Sequence, residues 1–192
     1  IERQIVSVVK GVNGCLIGPN CIGVINNNYK GVFTSPIPKF HSDGCDLISG
    51  SGATAVFIME AGMPLGVKFA NVYSIGNGAQ TRVEDVLEYM DMNYVHHVDP
   101  PIKLLYIENI SDPKKLLKHA ASLINKGAKI AAIKAGSTSA GSRAATSHTG
   151  AIASSDVTVR ALFKKAGIVY CSSREELLSV ASIFNYKELK GK

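Results

Sequence analysis

Along most of the chain, short apolar runs alternate with segments whose apolar residues recur at helical spacing, and glycine-containing turns separate them. From Cys45 onward this unit repeats. The pattern predicts strands at Asp46–Ser49, Lys68–Ile75, Ile102–Ile107, Lys129–Ile133 and Gly167–Cys171. It predicts helices at Ala53–Gly62, Glu84–Asn93, Pro113–Lys126, about 154–166 and Arg174–Phe184, with Asp112 and Ser172 or Ser173 as N-caps.

Strands that alternate with helices in this way are typical of a parallel sheet covered by helices on both faces. We therefore predict an α/β fold, a doubly wound parallel sheet of the flavodoxin-like type with about five strands. This domain would occupy residues 45–186, and residues 187–192 would form a tail.

The first 44 residues follow a different pattern. The opening IERQIVSVVKG predicts an amphipathic helix, and the apolar run Gly14–Ile17 predicts a short strand that Gly18 and Pro19 end. We expect the chain to begin within an upstream domain, of which residues 1–25 would be the last βα unit. Polar and turn-forming residues dominate 26–44, which we predict to be a linker.

Composition indicates an ordinary globular protein, with 46% hydrophobic and 19% charged residues. No apolar run approaches the roughly 20 residues of a membrane span, so we expect no membrane association. The net charge of +6 comes from scattered lysines rather than from a basic cluster with interleaved aromatics, so we expect no nucleic-acid partner. The four cysteines lack CxxC spacing, which favours neither zinc nor disulfides and fits a cytoplasmic location.

Candidate chemistry lies in the turns after the predicted strands, because ligands of open parallel sheets bind beyond the carboxyl ends of the strands. The turn Ser49–Thr54 opens a helix whose free N–H groups suit a phosphate or carboxylate, although a plain N-cap turn would have the same sequence. The turn Ser74–Gly78 suits a ligand loop or an ordinary turn equally. Glu108 directly follows the third strand, where a carboxylate could lie in the cleft or cap a helix.

After the fourth strand, the stretch AATSHTGAIASS at Ala144–Ser155 places His148 among small and hydroxylated residues. Its imidazole could act as a base, a metal ligand or a nucleophile, or it could be a solvated loop histidine. A glutamate such as Glu108 that holds one ring N–H, beside an anion-binding helix start, is the arrangement that imidazole phosphorylation needs. A metal would need more ligands, so we predict none. We expect the other histidines to lie on the surface: His41, His96, His97 and His119.

With these residues the chain resembles, over nearly its whole length, the acyl-CoA synthetases that form a nucleoside diphosphate, the superfamily of succinyl-CoA synthetase and ADP-forming acetyl-CoA synthetase. GPNCIGVI at 18–25 resembles the end of that family's CoA-binding Rossmann domain. Ser49–Gly52 stands in the place of its phosphate-site turn, and Gly76–Asn77 in that of its second loop. The long stretch KAGSTSAGSRAATSHTGAIASSD at 134–156 resembles its phosphohistidine loop and is the most specific of these motifs.

The resemblance implies a reversible ligase reaction, in which a small carboxylic acid, CoA and ATP give acyl-CoA, ADP and phosphate. In the direction of ATP synthesis, acyl phosphate forms from acyl-CoA and phosphate, and the histidine passes the phosphoryl group to ADP. By this similarity the catalytic residues are His148, which is phosphorylated, and Glu108, which orients it. The residues implied in phosphate binding are Ser51, Gly52, Ala53, Thr149 and Gly150, and those implied near the acyl and thioester end of CoA are Asn20, Cys21 and Asn77.

The same resemblance implies CoA, ATP or ADP, phosphate and Mg²⁺ as ligands, with the nucleotide bound mainly by other domains. CoA-binding and ATP-grasp portions, on the same protein or on another subunit, would be the partners. We expect this chain alone to be inactive and the full enzyme to be an oligomer. Gly50 replaces a glutamine of the ADP-forming branch, and Gly78 with Gln80 replaces a more charged loop. The resemblance therefore does not identify the acyl group of the substrate.

Two other functions remain compatible with the pattern. Related regions occur in regulatory parts of protein acetyltransferases, so the chain could be a ligand-sensing module; the presence of both His148 and Glu108 favours the enzyme. A flavin-binding flavodoxin-like carrier is the third possibility, which the scarcity of aromatic residues in the loops disfavours.

Overall fold

A mixed sheet of seven strands organises the computed structural model, which describes residues 1–32, 34–35, 37–136 and 156–185. The strands are β1 Gly23–Asn26, β2 Lys30–Val32, β3 Phe40–Ser49, β4 Phe69–Ser74, β5 Ile102–Ile107, β6 Lys129–Lys134 and β7 Val169–Cys171. The helices are α1 Glu2–Gly11, α2 Gly52–Gly62, α3 Val83–Asn93, α4 Pro113–Asn125, α5 Asp156–Ala166 and α6 Arg174–Asn185, and a 3₁₀ turn at Met63–Leu65 follows α2.

The five strands β3 to β7 are parallel and lie in the order β4-β3-β5-β6-β7. Counted along the chain, this is the order 2-1-3-4-5 of flavodoxin-like sheets. Their register aligns Ser49 with Ser74 and with Tyr106, and Ile107 with Lys134. The strands therefore end together along one edge, here called the carboxyl edge, and the predicted fold is confirmed.

Each strand and helix predicted after Cys45 is present, and the observed bounds differ by a residue or two except at β3. Strand β3 begins at Phe40, and its first residues are half-buried or exposed. The sequence therefore shows no apolar run at the start of this strand. Asp112 caps α4 as predicted, since its Oδ1 accepts the N–H of Lys115 at 2.9 Å. Ser173, rather than Ser172, caps α6, because its Oγ accepts the N–H of Glu176 at 3.1 Å.

The amino-terminal segment contains the clearest departure from prediction. Helix α1 is present, but the strand expected at Gly14–Ile17 does not form. Instead β1 and β2 form an antiparallel hairpin, and β1 joins the edge of β4 antiparallel. The hairpin turn is closed by Asn26, whose Oδ1 accepts the N–H groups of Asn28 and Tyr29 at 2.9 and 2.8 Å.

The residues 26–44 predicted as a linker thus include β2 and the start of β3. Their asparagines form a tight turn between strands, which a polar composition does not distinguish from a linker. The division of the chain at residues 25, 44 and 186 stays a prediction.

Apolar side chains fill both faces of the sheet. Helices α3, α4 and α5 cover one face with Leu87, Leu116 and Phe163, and α2 and α6 cover the other with Ile58 and Leu177. Within the described part of the chain, no helix combines the length and apolar composition that crossing a membrane requires.

His119 on α4 is buried, contrary to the expectation that it lies on the surface, and is 5% exposed. Its Nδ1 lies 2.8 Å from Asp91 Oδ2 on α3, and its Nε2 lies 3.4 Å from Glu88 Oε1. These carboxylates satisfy the imidazole at the interface of the two helices, so a polar residue can lie on an inner helix face.

Candidate functional site

Three loops meet at the carboxyl edge: residues 50–51 after β3, 75–79 after β4 and 108–112 after β5. Backbone hydrogen bonds extend the sheet pairing into them. The N–H of Ile75 donates to Ser49 O at 2.9 Å, and the N–H of Gly50 donates to Tyr106 O at 2.9 Å. The loops are therefore held side by side, as the parallel topology predicts.

The first loop prepares the N-terminus of α2. Ser51 is the N-cap, and its Oγ accepts the N–H of Thr54 at 3.3 Å. Ser49 fixes this turn, because its Oγ donates to Ser51 O at 2.7 Å and accepts the Ser51 N–H at 3.2 Å. The N–H groups of Gly52 and Ala53 belong to the first helical turn, which has no acceptor within the helix. Together with the helix dipole they suit an anion.

Residues 18–22 cross the carboxyl edge next to this helix start. The N–H of Ile22 donates to Ser74 Oγ at 3.2 Å. A β-carbon at Gly52 would lie 2.7 Å from Ile22 Cγ2, so the start of α2 approaches this segment as closely as only glycine allows.

The same segment contacts the second loop through its backbone. Asn77 N–H donates to Pro19 O and Ala79 N–H donates to Gly18 O, both at 3.0 Å. Asn20 Nδ2 lies 3.5 Å from Asn77 Oδ1, and the half-buried Cys21 follows directly. The structure therefore brings together the residues that the resemblance assigns to CoA, although their role stays a prediction.

Glu108 is half-buried at the end of β5 and lines a cleft of about 230 Å³. The other residues around this cleft include Gly50, Gly76, Asn77, Gly78, Arg82, Asn109 and Ser111. A β-carbon at Gly50 would lie 3.4 Å from Glu108 Cγ. A side chain longer than glycine at position 50 would thus lie beside the Glu108 side chain at the cleft.

Lys134 at the end of β6 is 3% exposed, and its Nζ donates to Ala135 O at 2.6 Å. Burial lowers the pKa of Lys134, and the negative charges of Glu108 and Asp156 oppose this effect. The Lys134 side chain thus lies close enough to Glu108 to interact with it electrostatically, and its role was not predicted from the sequence. The available signal was a lysine that ends the apolar run KIAAIK at the carboxyl edge.

Two arginines also reach this region and were likewise missed. Arg82 lines the cleft and donates from Nε to Gly78 O at 3.2 Å. The guanidinium of Arg174 stacks 3.9 Å from the ring centroid of Phe57. Burial raises the pKa of Tyr106, a hydrogen bond with Thr54 opposes this, and the charges of Glu108 and Arg174 act on it in opposite directions. These cations favour an anionic ligand at the carboxyl edge.

His148, Thr149 and Gly150 lie outside the described residues. The described chain on either side ends at Gly136, just after β6, and resumes at Asp156, the first residue of α5. Lys134 and Asp156 flank this segment, and the carboxylates of Asp156 and Glu108 both act electrostatically on the Lys134 ammonium group. Contact between Glu108 and His148 stays a prediction.

Comparisons with known proteins match this arrangement. A family described as the succinyl-CoA ligase like flavodoxin domain matches residues 42–184. The ADP-forming acetate–CoA ligase of Methanocaldococcus jannaschii is 38% identical over 187 residues, which cover 96% of this chain and 25% of that protein. The alpha subunit of ADP-forming acetate–CoA ligase II from Pyrococcus furiosus is 31% identical over 99% of this chain and 40% of its own length.

Among solved structures, the dinucleotide-forming acetyl-coenzyme A synthetase 1 of Ca. Korarchaeum cryptofilum, in complex with phosphate and ADP, is similar with a TM-score of 0.87. Its sequence identity is 25%, and the similarity covers 99% of this chain and 40% of that one. The chain therefore spans between a quarter and two fifths of the length of these relatives.

Proposed function

Because the chain belongs to the family of succinyl-CoA-ligase-like flavodoxin domains, which confirms the resemblance inferred from its motifs, we propose that it is the phosphoryl-transfer domain of an ADP-forming acyl-CoA synthetase. The whole enzyme would convert a small carboxylic acid, CoA and ATP reversibly to acyl-CoA, ADP and phosphate. One observation carries the proposal: an N-capped helix start, the half-buried Glu108 and the buried Lys134 converge at the carboxyl edge where the segment with His148 begins.

His148 is the residue that carries the phosphoryl group. In the direction of ATP synthesis, a ring nitrogen attacks the phosphorus of an acyl phosphate, and the bond from phosphorus to the acyl oxygen breaks so that the carboxylate leaves. The terminal oxygen of ADP then attacks the phosphohistidine, and the bond from phosphorus to nitrogen breaks. Glu108 accepts the N–H of the other ring nitrogen, which fixes the tautomer and raises the nucleophilicity of the first.

The start of α2 supplies the donors for phosphate. The N–H groups of Gly52 and Ala53 point away from the helix, and the Ser51 hydroxyl can donate its proton while it accepts the Thr54 N–H. Thr149 and Gly150 complete this set. The positive charge of Lys134 lies near the oxygens that accumulate charge during transfer and lowers the energy of that charge.

CoA would approach from the side of residues 18–22. Asn20, Cys21 and Asn77 lie next to each other there, at one end of the edge that also contains the anion site. The adenine nucleotide and its Mg²⁺ would be held mainly by other domains of the whole protein. CoA-binding and ATP-grasp portions of that protein would be the partners with which this chain acts. Proximity of the two sites lets an acyl phosphate formed at the thioester meet the histidine without release.

The test is transfer of label from γ-labelled ATP to the whole enzyme with magnesium. Acid-labile, alkali-stable phosphate should appear on the wild type and be absent from His148→Asn. Glu108→Gln should be labelled at least about tenfold more slowly, because loss of the carboxylate weakens the base-like activation of the imidazole. Glu60→Gln, at an exposed glutamate of α2, is the matched control and should be labelled like the wild type.

An enzyme that is folded, binds ATP and takes up no label would overturn the phosphohistidine mechanism. A His148→Asn variant that labels normally would instead place the phosphoryl group on another residue.

A further inference from the structure

Gln80 uses both the oxygen and the nitrogen of its side-chain amide to bind the segment that precedes Gly18. Its Oε1 accepts the N–H of Leu16 at 2.7 Å, and its Nε2 donates to Gly14 O at 3.1 Å. The amide thus takes the place that a neighbouring strand would take beside an extended segment. This pairing explains why Gly14–Ile17 needs no strand partner in the described structure.

The two hydrogen bonds require an amide in one orientation. A carboxylate of the same length could still accept the Leu16 N–H, but it would set a second oxygen against the Gly14 carbonyl. Two acceptors facing each other at this distance repel, and neither finds a donor there. Position 80 therefore distinguishes glutamine from glutamate by one donor group.

Gln80 ends the loop that contacts the next residues of the same segment. Asn77 N–H and Ala79 N–H bind Pro19 O and Gly18 O, so four hydrogen bonds join residues 14–19 to residues 77–80. The fit is close, since a β-carbon at Gly76 would lie 2.1 Å from Pro19 O. A displacement at Gly14 or Leu16 would be transmitted along a few residues to Asn20.

We propose that Gln80 is a positioning residue for the CoA half of the reaction, which fixes residues 14–20 against the loop 76–80 and so holds Asn20 and Cys21 beside Asn77. The inference rests on the proposed function, because these three residues are the proposed contacts of the acyl and thioester end of CoA. Gln80 is not among the residues that line the cleft of Glu108, so its effect on chemistry is indirect.

Comparing the two halves of the reaction, labelling of the histidine by ATP and formation of acyl-CoA, distinguishes a role in CoA binding from a general effect on folding. Labelling of the histidine by ATP needs no CoA, whereas formation of acyl-CoA does. In the whole enzyme, Gln80→Glu should raise the KM for CoA about tenfold, because the hydrogen bond to Gly14 O is replaced by a repulsive contact between two oxygens. The rate of labelling by ATP should stay within about twofold of the wild type, because the histidine site keeps its own contacts.

Gln80→Ala should change the KM for CoA in the same direction, since it removes both hydrogen bonds. Asn125→Asp, which makes the same amide-to-carboxylate change at an exposed position of α4, is the matched control and should leave both halves unchanged. A calorimetric titration with CoA measures the dissociation constant directly and does not depend on phosphohistidine formation.

Each outcome decides a separate point. Equal losses in labelling and in CoA affinity, or no change in either, would overturn the role of Gln80. If the wild type takes up no label but binds CoA, the proposed mechanism fails, and the titration of Gln80→Glu still tests the positioning role. A folded wild type that neither takes up label nor binds CoA would overturn both.

Discussion

The buried carboxylate of Glu84 accepts a hydrogen bond from the backbone N–H of Asp112 at 2.9 Å, and it accepts a second from Ser111 at 3.1 Å. Glu84 is only 1% exposed and is the second residue of α3. It therefore joins the start of α3 to the turn between β5 and α4. Glu108 begins this turn, so one buried side chain supports the loop that carries a proposed catalytic group.

We predict that Glu84→Leu lowers the free energy of unfolding by about 2–4 kcal/mol, because the backbone N–H groups of Ser111 and Asp112 lose their carboxylate acceptor. Glu84→Gln keeps an oxygen in the same place and should cost about 1 kcal/mol. Urea denaturation followed by circular dichroism measures both. Equal losses in the two variants would show that Glu84 contributes through packing and not through its acceptor oxygen.

The buried Lys134 predicts a pH dependence of stability. Burial lowers the pKa of Lys134 in the folded state below the ordinary value of 10.5. At a pH between the folded-state pKa and the unfolded-state pKa, the folded protein therefore binds fewer protons than the unfolded protein. Stability contributed at this site should therefore rise as the pH rises through that window. Lys134→Met should remove this rise.

Free energies of unfolding measured at a series of pH values up to 10.5 check the prediction. The wild type should gain stability relative to Lys134→Met as the pH increases. Lys164→Met, at an exposed lysine of α5, is the control and should follow the wild type. Parallel curves for the wild type and Lys134→Met would mean that the ammonium group is solvated in the folded protein.

A buried ion pair inside the sheet gives a second test of how a buried charge affects stability. Lys103 Nζ donates to Asp46 Oδ2 and, at 2.8 Å, to Pro100 O, and Asp46 Oδ1 accepts from Asn71 at 2.6 Å. Lys103→Met leaves the carboxylate buried without its cation and should cost about 3–5 kcal/mol. Adding Asp46→Asn should recover most of this loss, because the amide is neutral and can still accept from Asn71.

Thermal and urea unfolding of the two single variants and the double variant form a complete cycle. A double variant whose loss equals the sum of the single losses would show that the two groups do not interact, despite their contact.

Much of the fold was predictable because its elements repeat one period over many residues. Helix α4 combines a capping Asp112, a following proline and a regular apolar stripe, and its predicted start agrees with the structure. Strand β1 carries no such signal: it is four residues long, and its partner β2 has only three. Pairing with β4 and the turn at Asn26, neither visible as periodicity, determine the hairpin.

The candidate site was predictable to the extent that topology alone decides it. Residues that follow parallel strands must meet at one edge, which places Ser51, Asn77 and Glu108 in neighbouring loops. Side chains whose environment depends on tertiary packing were missed. Lys134 and His119 have polar side chains whose burial follows from packing between elements, which no local pattern encodes.

Gly76 and Gly66 allow a test of how the segment 18–20 is held. Both have positive φ, +58° and +77°. A β-carbon at Gly76 would lie 2.1 Å from Pro19 O, whereas a β-carbon at Gly66 would meet no atom within 4 Å. Alanine at either position carries the cost of a left-handed backbone, about 1–2 kcal/mol, and only Gly76→Ala adds a collision with the segment.

We predict that Gly66→Ala loses about 1–2 kcal/mol of unfolding free energy and leaves amide exchange of Asn77 and Ala79 unchanged. Gly76→Ala should lose more and should expose these two amides, whose acceptors are Pro19 O and Gly18 O. Hydrogen exchange at these positions reports the contact directly. If the two variants show the same exchange, the loop and the segment accommodate the added methyl group without breaking these two hydrogen bonds, and the close approach at Gly76 is not what holds residues 18–20.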